Sequence, residues 1–330
     1  METVFETDNA LTVKLYHEKL YRDARKESYF ERFMSNGEDT PVQTKTDLES
    51  DEGDAVTFGI RYRLKGDGVT DDNVLEGHEE ELSTADFKIS LTQLRNAVRT
   101  KGKLSDRRPL FRVPNEARAA LKDWMSEKID QKCFDALDLS PTKVFYGGDA
   151  TSTADIDATD KVSLGLISRV KTWASTGGNR TQPKLRGINI GGKKHYILLV
   201  HNDVEYDLKR DPEYLQAQRE AEVRGKNNPL FSGALAVWDD VIIHSHENIP
   251  IVTTWGAGSN VAGARCHFLG AQALCWAWGM RPWVTEETFD YKNKRGFAIG
   301  MIYAVAKPKF NNLDYGSIQV RVARTKVSDA

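Results

Sequence analysis

Hydrophobic and polar positions alternate strictly from Val56 to Lys65. Val56, Phe58, Ile60, Tyr62 and Leu64 fall on one side, and Thr57, Gly59, Arg61, Arg63 and Lys65 on the other. A period of two predicts a half-buried strand. A second alternating run sets Phe87, Ile89 and Leu91 against Lys88, Ser90 and Thr92. Between the runs lie about twenty acid-rich residues, opened by Gly66-Asp67-Gly68. The pattern predicts a long two-stranded arm with an elaborated tip. An isolated hairpin is marginal in water, and this one displays a whole apolar face. That face must rest on the arm's own domain or on a neighbouring copy of the chain, so it marks an interaction surface.

Helical spacing governs other segments. Leu11, Leu15, Leu20, Ala24, Phe30 and Phe33 predict an amphipathic helix over residues 11–34, broken by Gly37 and Pro41. Ala117, Leu121, Trp124, Ile129, Cys133 and Leu137 form one stripe from Pro114 to Leu137, with proline suited to the first turn. At 1.5 Å per residue that helix would be a strut about 35 Å long. Further helices are predicted over 161–174, with Asp160 as the cap, and from Asp211-Pro212 to Gly225. Strands are expected at 196–200, 234–238 and 241–245, with apolar segments at 266–278, 297–306 and 317–323. Gly, Thr, Ser and Asp dominate residues 140–160 and mark a boundary or surface excursion. The sum is a mixed α+β chain of two subdomains with projecting pieces.

Composition narrows the function. The 330 residues carry 46 Lys+Arg and 48 Asp+Glu, a formal charge of −2. A protein that binds nucleic acid by general electrostatics needs a basic excess. No apolar run reaches the roughly 18 residues of a membrane helix, and no secretory signal is visible at the start, so a soluble globular chain with no membrane partner is expected. Cys133, Cys266 and Cys275 form no paired motif. The near-neutral total hides a contrast: residues 45–90 hold 13 acids and 5 bases, and residues 91–135 hold 11 bases and 6 acids.

Candidate chemistry is weak throughout. Gly187 to Lys193 fits part of a phosphate-binding loop, but Lys194 replaces the Mg²⁺-holding hydroxyl and a strand follows where a helix is needed; a glycine turn is the simpler reading. His244, His246, Cys266 and His267 have the residue types for a metal site, but no spacing brings them together. Asp149, Asp155, Asp157 and Asp160 miss the calcium-loop pattern. No catalytic residue, cofactor or metal is expected.

Ordered local wording carries more. Leu64-Lys-Gly-Asp-Gly-Val-Thr70, Leu75-Glu-Gly-His-Glu-Glu80, Gln93-Leu-Arg-Asn-Ala-Val-Arg99, Lys101-Gly-Lys-Leu104, residues 116–130 and Val237-Trp-Asp-Asp-Val241 follow one another along the chain. In that order they resemble the HK97-fold major capsid proteins of tailed phages, with wording similar to the N4-like subfamily. The resemblance is dense over 50–140, looser to about 300 and weak beyond.

It implies an N-terminal arm (1–51), an extended E-loop hairpin (52–100), a peripheral domain with its spine helix (101–139), a mostly axial domain (140–295) and C-terminal strands returning to the periphery (296–330). It further implies self-assembly into hexamers and pentamers of an icosahedral shell around double-stranded DNA. Portal protein would be a partner, with a separate scaffolding protein or none, decoration proteins as a further option and packaged DNA contacted non-specifically, and host cytoplasm would be the site of the free subunit. The E-loop's apolar face would then be covered in trans. Candidate assembly residues are Val56, Phe58, Ile60, Tyr62, Leu64, Lys65, Gly66, Asp67, Gly68, Glu79 and Glu80 on the arm. Arg95, Arg99, Lys101, Lys103, Arg107 and Arg108 follow it. An encapsulin-like compartment shell is the alternative on the same fold, and a nucleotide-binding enzyme built on Gly187–Lys193 the remote one.

Overall fold

A computed structural model describes residues 28–46, 53–62, 64, 66, 68–108, 113–180, 183–220 and 235–326. After a single 3-10 turn (Phe30–Phe33) come β1 (Met34–Ser35), β2 (Val42–Lys45), β3 (Ala55–Arg61), β4 (Thr84–Ser90) and β5 (Thr92–Arg99). Next are α1 (Lys103–Asp106), α2 (Val113–Asp138), β6 (Val144–Tyr146), α3 (Leu164–Arg180), β7 (Ile188–Ile190) and β8 (Lys193–Val200). Then follow α4 (Asn202–Leu208), α5 (Pro212–Glu220), β9 (Ala236–Trp238), β10 (Val241–Ser245), β11 (Ile251–Trp255) and β12 (Val261–Leu269). The chain ends with β13 (Leu274–Phe289), β14 (Lys294–Ala306), β15 (Lys309–Phe310), β16 (Leu313–Asp314) and β17 (Ser317–Ala323). Two compact units result. The larger takes in Ser28–Gln93, Lys128–Arg281 and the chain from Ile302 onward; the smaller includes Leu94–Glu127 and Pro282–Met301.

The larger unit is built on a sheet of order β6-β17-β12-β8-β10-β9, with β11 and β7 added at its margins. Its centre is the parallel pair β8–β10. Tyr196 to Val200 are buried without a break, as befits a strand covered on both faces. On one face Leu198, Val200, Ile243, Cys266, Phe268 and Val320 pack against Leu166, Ile167, Val170 and Ala174 of α3 and Val204 and Leu208 of α4. On the other face Leu199 is flanked in register by His244 and His267. Tyr29, Phe30 and Phe33 gather there with Phe134 of α2 around His244 and His246. Asp130 seats this aromatic turn. Its carboxylate accepts the Tyr29 and Phe30 N–H groups at 2.7 and 3.0 Å and the Ser28 hydroxyl at 3.1 Å.

Several expectations change. The helix expected over 11–34 falls mostly outside the described residues, and Phe30–Phe33 makes one tight turn into β1. Asp160 does not cap α3, which starts four residues later with the Ser163 hydroxyl accepting the Leu166 N–H at 3.2 Å. Asp160 is buried instead and accepts the Asp157 N–H at 2.8 Å. The glycines of the Gly187–Lys193 segment serve a hairpin: Gly191 and Gly192 take φ +58° and +83° between β7 and β8, as a two-residue turn requires. His267 and Cys266 point to opposite faces of β12, which separates the candidate metal ligands.

Candidate assembly surface

The arm forms as its alternation dictates. β3 and β4 pair antiparallel with Val56 opposite Ile89, Phe58 opposite Phe87 and Ile60 opposite Ala85. Its apolar face, expected to be covered in trans, is instead covered near its base by the same chain. Val56, Phe58 and Ile89 are buried against Cys275, Ala277 and Ala304, with Phe87, Leu91 and Ala306 at the margin. Small side chains on β13 and β14 make a shallow bed; at Gly279 even a Cβ would come within 2.8 Å of Ile302 and 2.9 Å of Leu91. Further out, the Phe87 ring meets Phe310 at 6.3 Å, Tyr62 meets Tyr315 at 6.3 Å, and Asn311 donates to the Tyr62 hydroxyl at 3.0 Å. Alternation specifies an apolar face but not which surface covers it, so this was invisible in the sequence.

Beyond Tyr62 the arm loses its cover. Leu64, Val74, Leu75 and Leu82 are 61%, 68%, 59% and 57% exposed. Val74, Leu75 and Leu82 share the tip, residues 66–83, with seven Asp/Glu and no Lys or Arg. Two of the acids also hold the loop's shape: Glu80 accepts the Gly66 N–H and Glu79 the Gly77 N–H, each at 2.7 Å. Gly68 adopts φ +73°, a conformation natural to glycine. Lys65 and Asp67 lie outside the described residues. The exposed Val74, Leu75 and Leu82 stand outside the candidates that alternation marks, although apolar residues set singly among acids are the signal for such a surface.

The basic residues sit in the smaller unit, where the first of them form strand β5. Arg95 and Arg99 are exposed on one face of that strand. The Arg99 guanidinium lies 4.3 Å from the centre of the Phe289 ring. Arg95 lies beside Trp283 over Gly300, where a Cβ would meet Trp283 at 2.7 Å and Arg95 at 3.1 Å. Lys101, Lys103, Arg107 and Arg108 are exposed too, with Leu104 71% exposed among them. The Lys103 N–H donates to Asn293 at 3.3 Å, and the Thr100 N–H to the Arg295 carbonyl at 2.8 Å, which moors the segment. Each surface combines a dominant sign of charge with exposed apolar side chains, Asp106 being the one acid of the segment Arg95–Arg108.

Comparison with known proteins decides the class. The family described as phage capsid protein matches residues 5–138 and 140–325. The chain belongs to that family. The major capsid protein of Pseudomonas phage KPP25 is 30% identical over 358 positions, covering 92% of this chain and 93% of that one. The capsid of Ralstonia phage GP4 superposes with a TM-score of 0.88 at 28% identity over 100% of both chains. The cyanophage Pam1 capsid shares the fold, with a TM-score of 0.82 at 20% identity over 98% and 99% of the two chains. This capsid chain therefore has an HK97-like fold and is a major capsid protein that forms the phage head shell with further copies of itself. The family is structural, not enzymatic. Among the described residues no helix is long and apolar enough to cross a membrane.

Proposed function

We propose that copies of this chain associate head to tail into hexamers and pentamers, closing an icosahedral head around double-stranded DNA. A heterologous contact makes a ring when its rotation closes. The observation that carries this reading is the arm: its base is buried on its own chain, while its acidic, leucine-bearing tip is left without cover. We assign residues 1–51 to an N-terminal arm, 52–100 to the E-loop, 101–139 to the peripheral domain with α2 as its spine, 140–295 mostly to the axial domain and 296–330 to the returning strands. The acidic tip of one copy meets the basic segment Arg95–Arg108 of the next, setting register more than affinity. Placement in the N4-like subfamily, the portal, scaffolding and decoration partners and a cytoplasmic phase before assembly belong to the same reading, supported by the ordered local wording of residues 50–140.

Charge reversal tests the contact. Glu79, Glu80 and Glu81 changed together to lysine, or Lys101, Lys103 and Arg107 to glutamate, should each abolish shells seen by electron microscopy. Mixing the two reversed chains should restore mixed rings. Shells from either reversed chain alone would refute the pairing.

A further inference from the structure

A second surface of the larger unit has a different chemistry. Ser168, Arg169, Thr172, Trp173, Thr176 and Gly178 line an open groove of about 560 Å³ along α3. Beside it, the Lys143 ammonium sits 4.6 Å from the centre of the Trp173 ring and 5.5 Å from that of Phe145. Arg169 lies 5.9 Å from the Phe145 ring and donates to the Tyr146 carbonyl at 2.7 Å. The two rings meet edge to face at 5.6 Å. Gly178 is part of the construction: at φ +55°, a Cβ there would come within 2.5 Å of the Trp173 indole nitrogen.

Elsewhere in this unit Lys171 rests on Asp239 at 2.8 Å and Arg265 on Asp138 at 2.7 Å. Lys143 and Arg169 rest on aromatic faces, and among the described residues neither meets a carboxylate. A ring face holds a cation in place without neutralising it. The groove and its margin therefore offer the charges of Arg169 and Lys143 and the hydroxyls of Thr172 and Ser168, with no acid among the groove's lining residues.

We propose that this groove is a contact for the phosphodiester backbone of duplex DNA, an inference that rests on the reading of the shell as a DNA container. Arg, Lys, Ser and Thr are the side chains that contact phosphates without reading sequence. Two charges per copy bind weakly, and the contact is repeated by each copy of the shell. Such a lining holds DNA in place and still lets it slide.

The test is the salt dependence of binding. The purified, unassembled subunit is titrated with a fluorescein-labelled 20-base-pair duplex between 50 and 200 mM NaCl, and anisotropy is followed. The basic segment Arg95–Arg108 contributes equally to the parent and to Lys143→Gln/Arg169→Gln, so the difference reports the groove. Removing two phosphate contacts should flatten log K against log salt by about 1.8, so the parent's affinity falls about 12-fold more than the variant's across this range. Thr172→Arg should steepen the slope by about 0.9, which keeps the question open to an answer if the double variant misfolds. Equal slopes in parent and variants would overturn the assignment. So would a polyglutamate peptide whose binding depends on Lys143 and Arg169 while the duplex's does not, since the groove would then take an acidic protein segment. Absence of shells in the microscope would remove the container reading, whereas equal slopes with shells present would remove only the groove.

Discussion

Replacing Phe58 with alanine removes a ring that is 5% exposed and packed on Cys275, Ala277 and Ala304. Burying a phenylalanine and then deleting it typically costs about 3–5 kcal/mol. Here the low end applies, about 3 kcal/mol, because the bed is shallow and the hairpin can settle onto it. That includes the attraction of the Lys45 ammonium, which lies 5.7 Å from the ring centre and contributes about 0.5 kcal/mol. Against a typical net stability of about 5–15 kcal/mol the loss is large. It should show in the unassembled subunit, as a lower urea midpoint and as roughly hundredfold faster hydrogen exchange at the β3 and β4 amides. Leu64→Ala serves as the contrast: at 61% exposure it should change subunit stability by less than about 0.5 kcal/mol yet reduce shell yield. A Phe58→Ala subunit that unfolds like its parent while failing to form shells would refute cover by the same chain and restore cover in trans.

Asp130→Asn should cost about 2–3 kcal/mol, because an amide nitrogen replaces an acceptor of the Ser28, Tyr29 and Phe30 donors; faster limited proteolysis near residues 28–33 reads this out. His267 should make the subunit acid-sensitive. Burial pushes its imidazole from 6.5 down to about 4, with Lys307 and Arg265 opposing protonation and Asp138 favouring it. The unfolded chain then takes up a proton that the folded one refuses. Stability is full above about pH 6.5, falls between 6.5 and 4, and levels off below, by roughly 3 kcal/mol in all. Thermal melts of His267→Gln should lack that part of the decline, and an unchanged difference across the window would refute it.

The long elements were legible because their periodicity is strong. The helix expected over 114–137 is α2 at Val113–Asp138, and the segments expected at 241–245 and 317–323 are β10 and β17. β5 carries no strand expectation, because polar Asn96 stands between Leu94 and Val98 on the face opposite Arg95 and Arg99. The two-residue strands β1, β15 and β16 have no period to read: β1 is held by the longer β2, and β15 and β16 pair with each other across the Asn311–Asn312 turn. Of the candidate assembly residues, charge sign and the alternating face were visible early. Leu104 and the tip's Val74, Leu75 and Leu82 became evident only as exposed side chains.

By itself, then, the chain's pattern determined an apolar-faced arm with an acidic tip, a basic segment after it, a long helix and a late run of strands. Those depend on neighbours a few residues apart, which any reading of the sequence contains. What covers each face depends on residues far apart in the chain. Val56 and Phe58 meet Cys275, Ala277 and Ala304, and Asp130 reaches back about a hundred positions to Tyr29. Lys143 settles on Trp173 rather than on an acid. Tertiary structure alone decided these, because burial and charge compensation are properties of the surface a side chain meets.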